Sequence, residues 1–166
     1  SSFSVPIQVN SVDGHAIEIS YSGPKIESVG NTIHIIWADQ RNGYDATNIY
    51  YSRSLDAGET WTEEIPIGDE SEFNLYPEIT TSDNGDIHVV YYSYSQRFLN
   101  FQNIFYLSSV DTGQSFSADE IVNNYSGAIP CDCCPPDILI LNDGRKMAGF
   151  RNDDEDIRDT YAMFSD

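Results

Sequence analysis

The sequence predicts an all-β fold, a β-propeller segment of about three four-stranded antiparallel blades. Three observations predict it: a pattern that recurs after 55 residues, four strand-length runs in each repeat, and Gly, Asn and Asp turns with no helical spacing between them. The stretch Asn48-Ile49-Tyr50-Tyr51-Ser52-Arg53-Ser54-Leu55-Asp56-Ala57-Gly58-Glu59-Thr60-Trp61 returns as Asn103-Ile104-Phe105-Tyr106-Leu107-Ser108-Ser109-Val110-Asp111-Thr112-Gly113-Gln114-Ser115-Phe116. A third copy opens at Asp159, and Ser2-Phe3 matches the tail of the same pattern, so the chain is expected to span about three repeats, cut at both ends.

The strands follow in order. The first full repeat places them at Pro24 to Val29, Thr32 to Ala38, Asn48 to Arg53 and Thr60 to Ile67. The second places them at Pro77 to Thr81, Ile87 to Ser93, Asn103 to Ser108 and Ser115 to Val122. The third supplies Asp137 to Leu141, Lys146 to Arg151 and Thr160 to Phe164. Four short strands per repeat make a propeller blade, in which radial repetition leaves only short protected edges. A single partial propeller domain, residues 1–166, is expected, with blade boundaries near 23, 76 and 136. The remainder of the ring, or a second copy, would be needed to close it.

Composition narrows the function classes. With 27 acidic against 8 basic residues and a formal charge of −19, the chain would repel a phosphate backbone, which excludes nucleic acid as a partner. An aromatic content of 13% supports a packed core rather than disorder. No apolar run reaches the roughly 18 residues of a membrane span, and the first residues carry no charged-then-apolar export signal. Three cysteines, Cys131, Cys133 and Cys134, share one hexapeptide ending in Pro135-Pro136. A local disulfide fits them better than zinc, since the three sit too close together and no matched second pair is present. An oxidising location follows: secreted, periplasmic or cell surface.

Within the repeat, Ser54, Asp56, Gly58 and Trp61 and their counterparts Ser109, Asp111, Gly113 and Phe116 form the pattern Ser-x-Asp-x-Gly-x-Ser/Thr-Trp/Phe. Its physics is that of a hairpin: the Asp accepts backbone N–H bonds, the Gly permits positive φ, and the aromatic ring packs between sheets. The pattern resembles the Asp box of the sialidase-like, BNR-repeat propellers. That resemblance implies a six-bladed ring, a glycan or sialic-acid-like ligand held on the rim opposite the boxes, and exo-glycosidase activity in the complete ring. A non-catalytic glycan-binding or surface-assembly propeller is the alternative.

Alternation of connections between rims puts residues 39–47, 94–102, 152–159, 10–23, 68–76 and 123–136 on that opposite rim. Arg41, Arg97 and Arg158 fall there, Arg151 closes a strand that points the same way, and the four are the candidate ligand contacts, because guanidinium groups match a carboxylate bidentately. Otherwise they pair with neighbours such as Asp39, Asp45, Asp153, Asp156 and Asp159. The resemblance further implies an acid/base Asp shortly before the first box, for which Asp45 and Asp39 are candidates, and a Tyr nucleophile paired with a Glu. Tyr21, Tyr44, Tyr76, Tyr94 and Tyr125 lie in or near the upper loops, with no assignable Glu. The family's first arginine, in an Arg-Ile-Pro motif, is replaced here by Ser22. His34 and His88 occupy matching strand positions and read as structural. No metal site or cofactor is expected, although the oxygen-rich run 152–159 could suit calcium.

Overall fold

The computed structural model describes residues 2–17, 22–94, 102–125 and 129–165. The first sheet is β1 (Lys25–Val29), β2 (Thr32–Asp39), β3 (Asn48–Ser54) and β4 (Ile65–Pro66). The second is β5 (Phe73–Thr81), β6 (Ile87–Tyr94), β7 (Gln102–Ser109) and β8 (Glu120–Ile121); the third is β9 (Asp137–Ile140), β10 (Lys146–Arg151) and β11 (Thr160–Phe164). Each is a meander in which every hydrogen-bonded neighbour is antiparallel. One 3-10 turn, Tyr44–Ala46, interrupts the β2–β3 loop.

The sheets stack as blades do. β5 packs against β1, β2 and β3 on one side and β9 on the other, so the first strands of successive sheets are neighbours. Their inner faces share one core, running from Ile36, Ile49 and Tyr51 through Leu75, Ile87, Val89 and Leu107 to Ile138 and Phe150. Burying a side chain of this size contributes about 1.5–3 kcal/mol. β6, Ile-His-Val-Val-Tyr-Tyr-Ser-Tyr, is buried along nearly its whole length. A strand covered on both faces needs no polar alternation. The architecture is a segment of a β-propeller. Among the described residues, no helix is long and apolar enough to cross a membrane.

Two strand expectations are corrected. The fourth strands shrink from eight residues to two, because a hydroxyl enters the ladder on each. Thr62 Oγ1 accepts the Arg53 N–H at 3.2 Å and Ser117 Oγ accepts the Ser108 N–H at 3.0 Å, displacing regular pairing below β4 and β8. The first strand of the second sheet begins at Phe73 rather than Pro77. It carries a bulge between Leu75 and Glu78, with Tyr76 at φ 52°, and the bulge accommodates a proline that has no N–H to give the ladder.

Candidate functional site

The two boxes are near copies in three dimensions. Ser54 Oγ donates to Asp56 Oδ1 (2.7 Å) and accepts the Gly58 N–H (2.8 Å), while Asp56 accepts the Thr60 N–H (2.8 Å) and hydroxyl (2.6 Å). Ser109, Asp111, Gly113 and Ser115 repeat these bonds at 2.7, 2.8, 3.0 and 2.6 Å. Bonds from the Thr60 hydroxyl and N–H hold the Asp56 carboxyl down at about 2, and those from Ser115 lower Asp111 in the same direction. Both carboxylate oxygens of each Asp accept bonds inside the turn. Phe116 reaches back to the first sheet, whereas Trp61 lines a groove with residues 7–9 of the N-terminal segment.

On the opposite rim, Asp39 and Arg41 face each other at the top of β2. Arg41 donates to Asp39 through Nε (3.0 Å) and NH2 (2.8 Å) and to Glu64 through NH1 (3.0 Å), and its guanidinium lies 4.0 Å from the Tyr50 ring centre. Trp37 Nε1 adds a bond to Asp39 (3.0 Å), and the Ser11 hydroxyl one to Glu64 (2.6 Å). Burial works to raise the Asp39 pKa, but the bonds from Arg41 and Trp37 outweigh it and hold the carboxyl below its usual range. The pairing that sequence reasoning set beside the ligand role is what occupies both groups. Asp45 sits in the exposed turn between Tyr44 and Ala46.

The densest chemistry gathers around the loop before β9. Tyr44, Phe73, Tyr94, Tyr92 and Tyr76 form a chain of rings with successive centroids 5.3, 5.7, 4.8 and 6.2 Å apart. Tyr44 is 61% exposed at one end, and Tyr76 and Tyr92 are buried at the other. Burial, offset in part by a bond involving Tyr92, pushes the Tyr94 phenol up to about 12; burial and then the negative charges of Cys133 and Asp132 raise Tyr76. The raised phenols of Tyr76, Tyr92 and Tyr94 are not poised as phenolate nucleophiles.

The cysteine loop is pinned beneath those rings. Pro130 bridges to Asn152, the Tyr92 hydroxyl points to the Pro130 carbonyl at 3.4 Å, and the Cys131 N–H donates to the Arg151 carbonyl at 2.8 Å. A turn closed by the Cys134 N–H on the Cys131 carbonyl brings the three sulfurs within 4.8 Å of one another. Arg151 Nε is buried with no partner among the described residues, and Arg158 pairs with Asp153 at 3.0 Å. Arg97 and Tyr21 lie outside the described residues. Among the described residues, the acidic run 152–159 forms no group of three side chains at metal-ligand distance. Ser22, where the resemblance calls for an arginine, is 7% exposed.

Sequence reasoning missed one constellation. Glu78 on β5 makes an ion pair with Lys25 on β1, and Asp137 on β9 lies near enough to bias it. Burial raises the Glu78 pKa against the opposing charge of Lys25. The signal was a second repeat, Pro24-Lys25-Ile26, Pro77-Glu78-Ile79 and Pro136-Asp137-Ile138, which puts one charged residue at the same place on each first strand.

No known family model matches this sequence, and no curated protein is detectably similar to it. Solved structures do share its fold. A polysaccharide lyase of family PL25, an ulvan lyase bound to a GlcA–Rha3S saccharide, aligns at TM-score 0.58 and 16% identity over 92% of this chain and 40% of its own. An endo-arabinase from Bacteroides thetaiotaomicron aligns at 0.61 and 11% over 93% and 60%. A leech intramolecular trans-sialidase aligns at 0.50 and 16% over 87% and 24%. The chain therefore spans between about a quarter and three-fifths of the length of these structures. At such identities they establish a propeller-type fold and nothing finer.

Proposed function

We propose that this chain forms part of a secreted or cell-surface propeller directed at carbohydrate, with its glycan on the rim opposite the Asp boxes. The ring chain from Tyr44 through Phe73 to Tyr94 carries the reading, because partly exposed aromatic faces stack on the C–H faces of sugars while excluding water. Arg151 lies on the same rim and would supply the polar contact that orients the sugar. A net charge of −19 disfavours polyanionic glycans, so the class is a neutral or singly charged oligosaccharide. Fold likeness to a lyase, an arabinase and a trans-sialidase supports the same direction by analogy.

Binding is better supported than sialidase-type hydrolysis. Arg41 and Asp39 neutralise each other, Ser22 stands in place of an arginine, and the rim phenols are raised rather than activated. The test is calorimetric titration with arabino-oligosaccharides, uronate-containing oligosaccharides and sialosides, in wild type, Tyr44→Ala and Phe73→Ala. A glycan whose affinity drops about ten-fold or more in both variants supports the assignment. Unchanged binding in both would remove it, and turnover of a fluorogenic sialoside that vanishes in Arg151→Ala would replace it with the hydrolase.

A further inference from the structure

We propose that Cys131, Cys133 and Cys134 form a three-thiolate site for copper(I), in addition to any glycan site on the rim. Their sulfurs lie within 4.8 Å of one another, with Cys131 3.2 Å from Cys133 and Cys133 3.8 Å from Cys134. Metal–sulfur bonds of about 2.3 Å in a plane put sulfurs about 4 Å apart, a spacing this triangle reaches by small χ1 rotations. The turn that closes Cys134 on Cys131, the Cys131–Arg151 backbone bond and Pro135-Pro136 fix the loop, so little chain entropy remains to be lost on binding.

Donor chemistry selects the ion. All three ligands are soft sulfur, and among the described residues no His, Cys or carboxylate joins them to complete the four ligands of structural zinc. Copper(I), a soft cation content with three donors, suits the set. Three thiolates around one monovalent cation carry two net negative charges. Arg151 and Arg158 both lie close enough to sense the charge on Cys131, and so offset them. Thiols bind the metal as thiolates, so binding releases protons and tightens as pH rises.

The test uses the reduced protein under anaerobic conditions, competing with bicinchoninate for copper(I). One copper per chain is expected, with sulfur-to-copper absorption in the ultraviolet and affinity that increases from pH 6 to pH 8. Cys133→Ser, at an exposed position, should weaken binding about ten-fold or more while leaving the unfolding midpoint unchanged. No transfer of copper from the competitor, equal affinity in Cys133→Ser, preferential retention of zinc, or a Cys131–Cys133 disulfide that resists reduction would each overturn the assignment.

Discussion

Phe116 of the second repeated hairpin meets Tyr51 of the first sheet edge-on, with ring centroids 5.0 Å apart and planes at 74°. Arg53 of the first sheet donates to the Thr112 carbonyl in the same hairpin. The hairpin is therefore a seam between blades as well as a turn within one. His34 completes the contact from behind, stacked on Tyr51 with its Nδ1 2.7 Å from the hydroxyl.

Gly113 is the tightest point of that seam. Its φ is 79°, and a Cβ there would collide with the Tyr51 hydroxyl and ring, whereas at Gly58 the nearest atom is Ile33 Cδ1 at 3.5 Å. Gly58→Ala should cost about 1–2 kcal/mol from backbone strain alone. Gly113→Ala should cost a further 1–3 kcal/mol or so from overpacking, read from urea unfolding of both variants. Equal costs would place the second box away from Tyr51.

Acid should destabilise the fold in two stages. Burial first, then the charge of Arg53, lowers His34 from 6.5 to about 4, and burial with Lys146 lowers His88. The unfolded chain thus binds more protons than the folded one between about 6.5 and 4, and stability falls as pH drops through that window. Asp56 and Asp111 have depressed values, so their contribution is complete above about 3.8 and is lost as pH falls below it. In His34→Gln/His88→Gln the first stage should flatten and the second persist, as followed by melting temperature against pH.

Arg41→Ala tests whether the Asp39 cluster is structural. Asp39 is 1% exposed and Glu64 8%, so removing the guanidinium leaves two carboxylates with little access to water. A loss of about 3–5 kcal/mol is expected in denaturant unfolding. Stability within about 0.5 kcal/mol of wild type would mean that Arg41 is available to a ligand after all.

The upper seam makes a parallel prediction. Asn74 Nδ2 donates to Asn48 Oδ1 at 2.9 Å and to the Asp69 carbonyl at 2.7 Å, and Asn48 Nδ2 donates to the Gly68 carbonyl at 3.1 Å. These buried amides bolt the first sheet to the second. Asn74→Ala should cost about 1–3 kcal/mol by leaving the Asn48 amide oxygen with one fewer donor, measured by thermal unfolding.

Repetition made the fold legible. Because Asn48 to Trp61 and Asn103 to Phe116 are the same supersecondary unit, strand number, order and rim assignment could all be read from one motif. The exceptions are local: the Thr62 and Ser117 hydroxyls shorten β4 and β8, and the backbone bulge at Tyr76 before Pro77 interrupts β5. The site was less legible, because its groups come from three blades. Arg41 was placed on the right rim, but its partner Glu64 is 23 residues on, and nothing local in the sequence announces that pair. The three cysteines were visible as a cluster, while their shared orientation depended on a turn held by Arg151 and Asn152 of the next hairpin.

A double-mutant cycle on Tyr51→Leu and Phe116→Leu tests most directly whether the box hairpins stack neighbouring sheets around one axis. The seam predicts a coupling of about 0.5–1.5 kcal/mol between the two rings. Additive losses, with no coupling beyond error, would mean that the second box and the first sheet do not meet and that the blades are not packed as described.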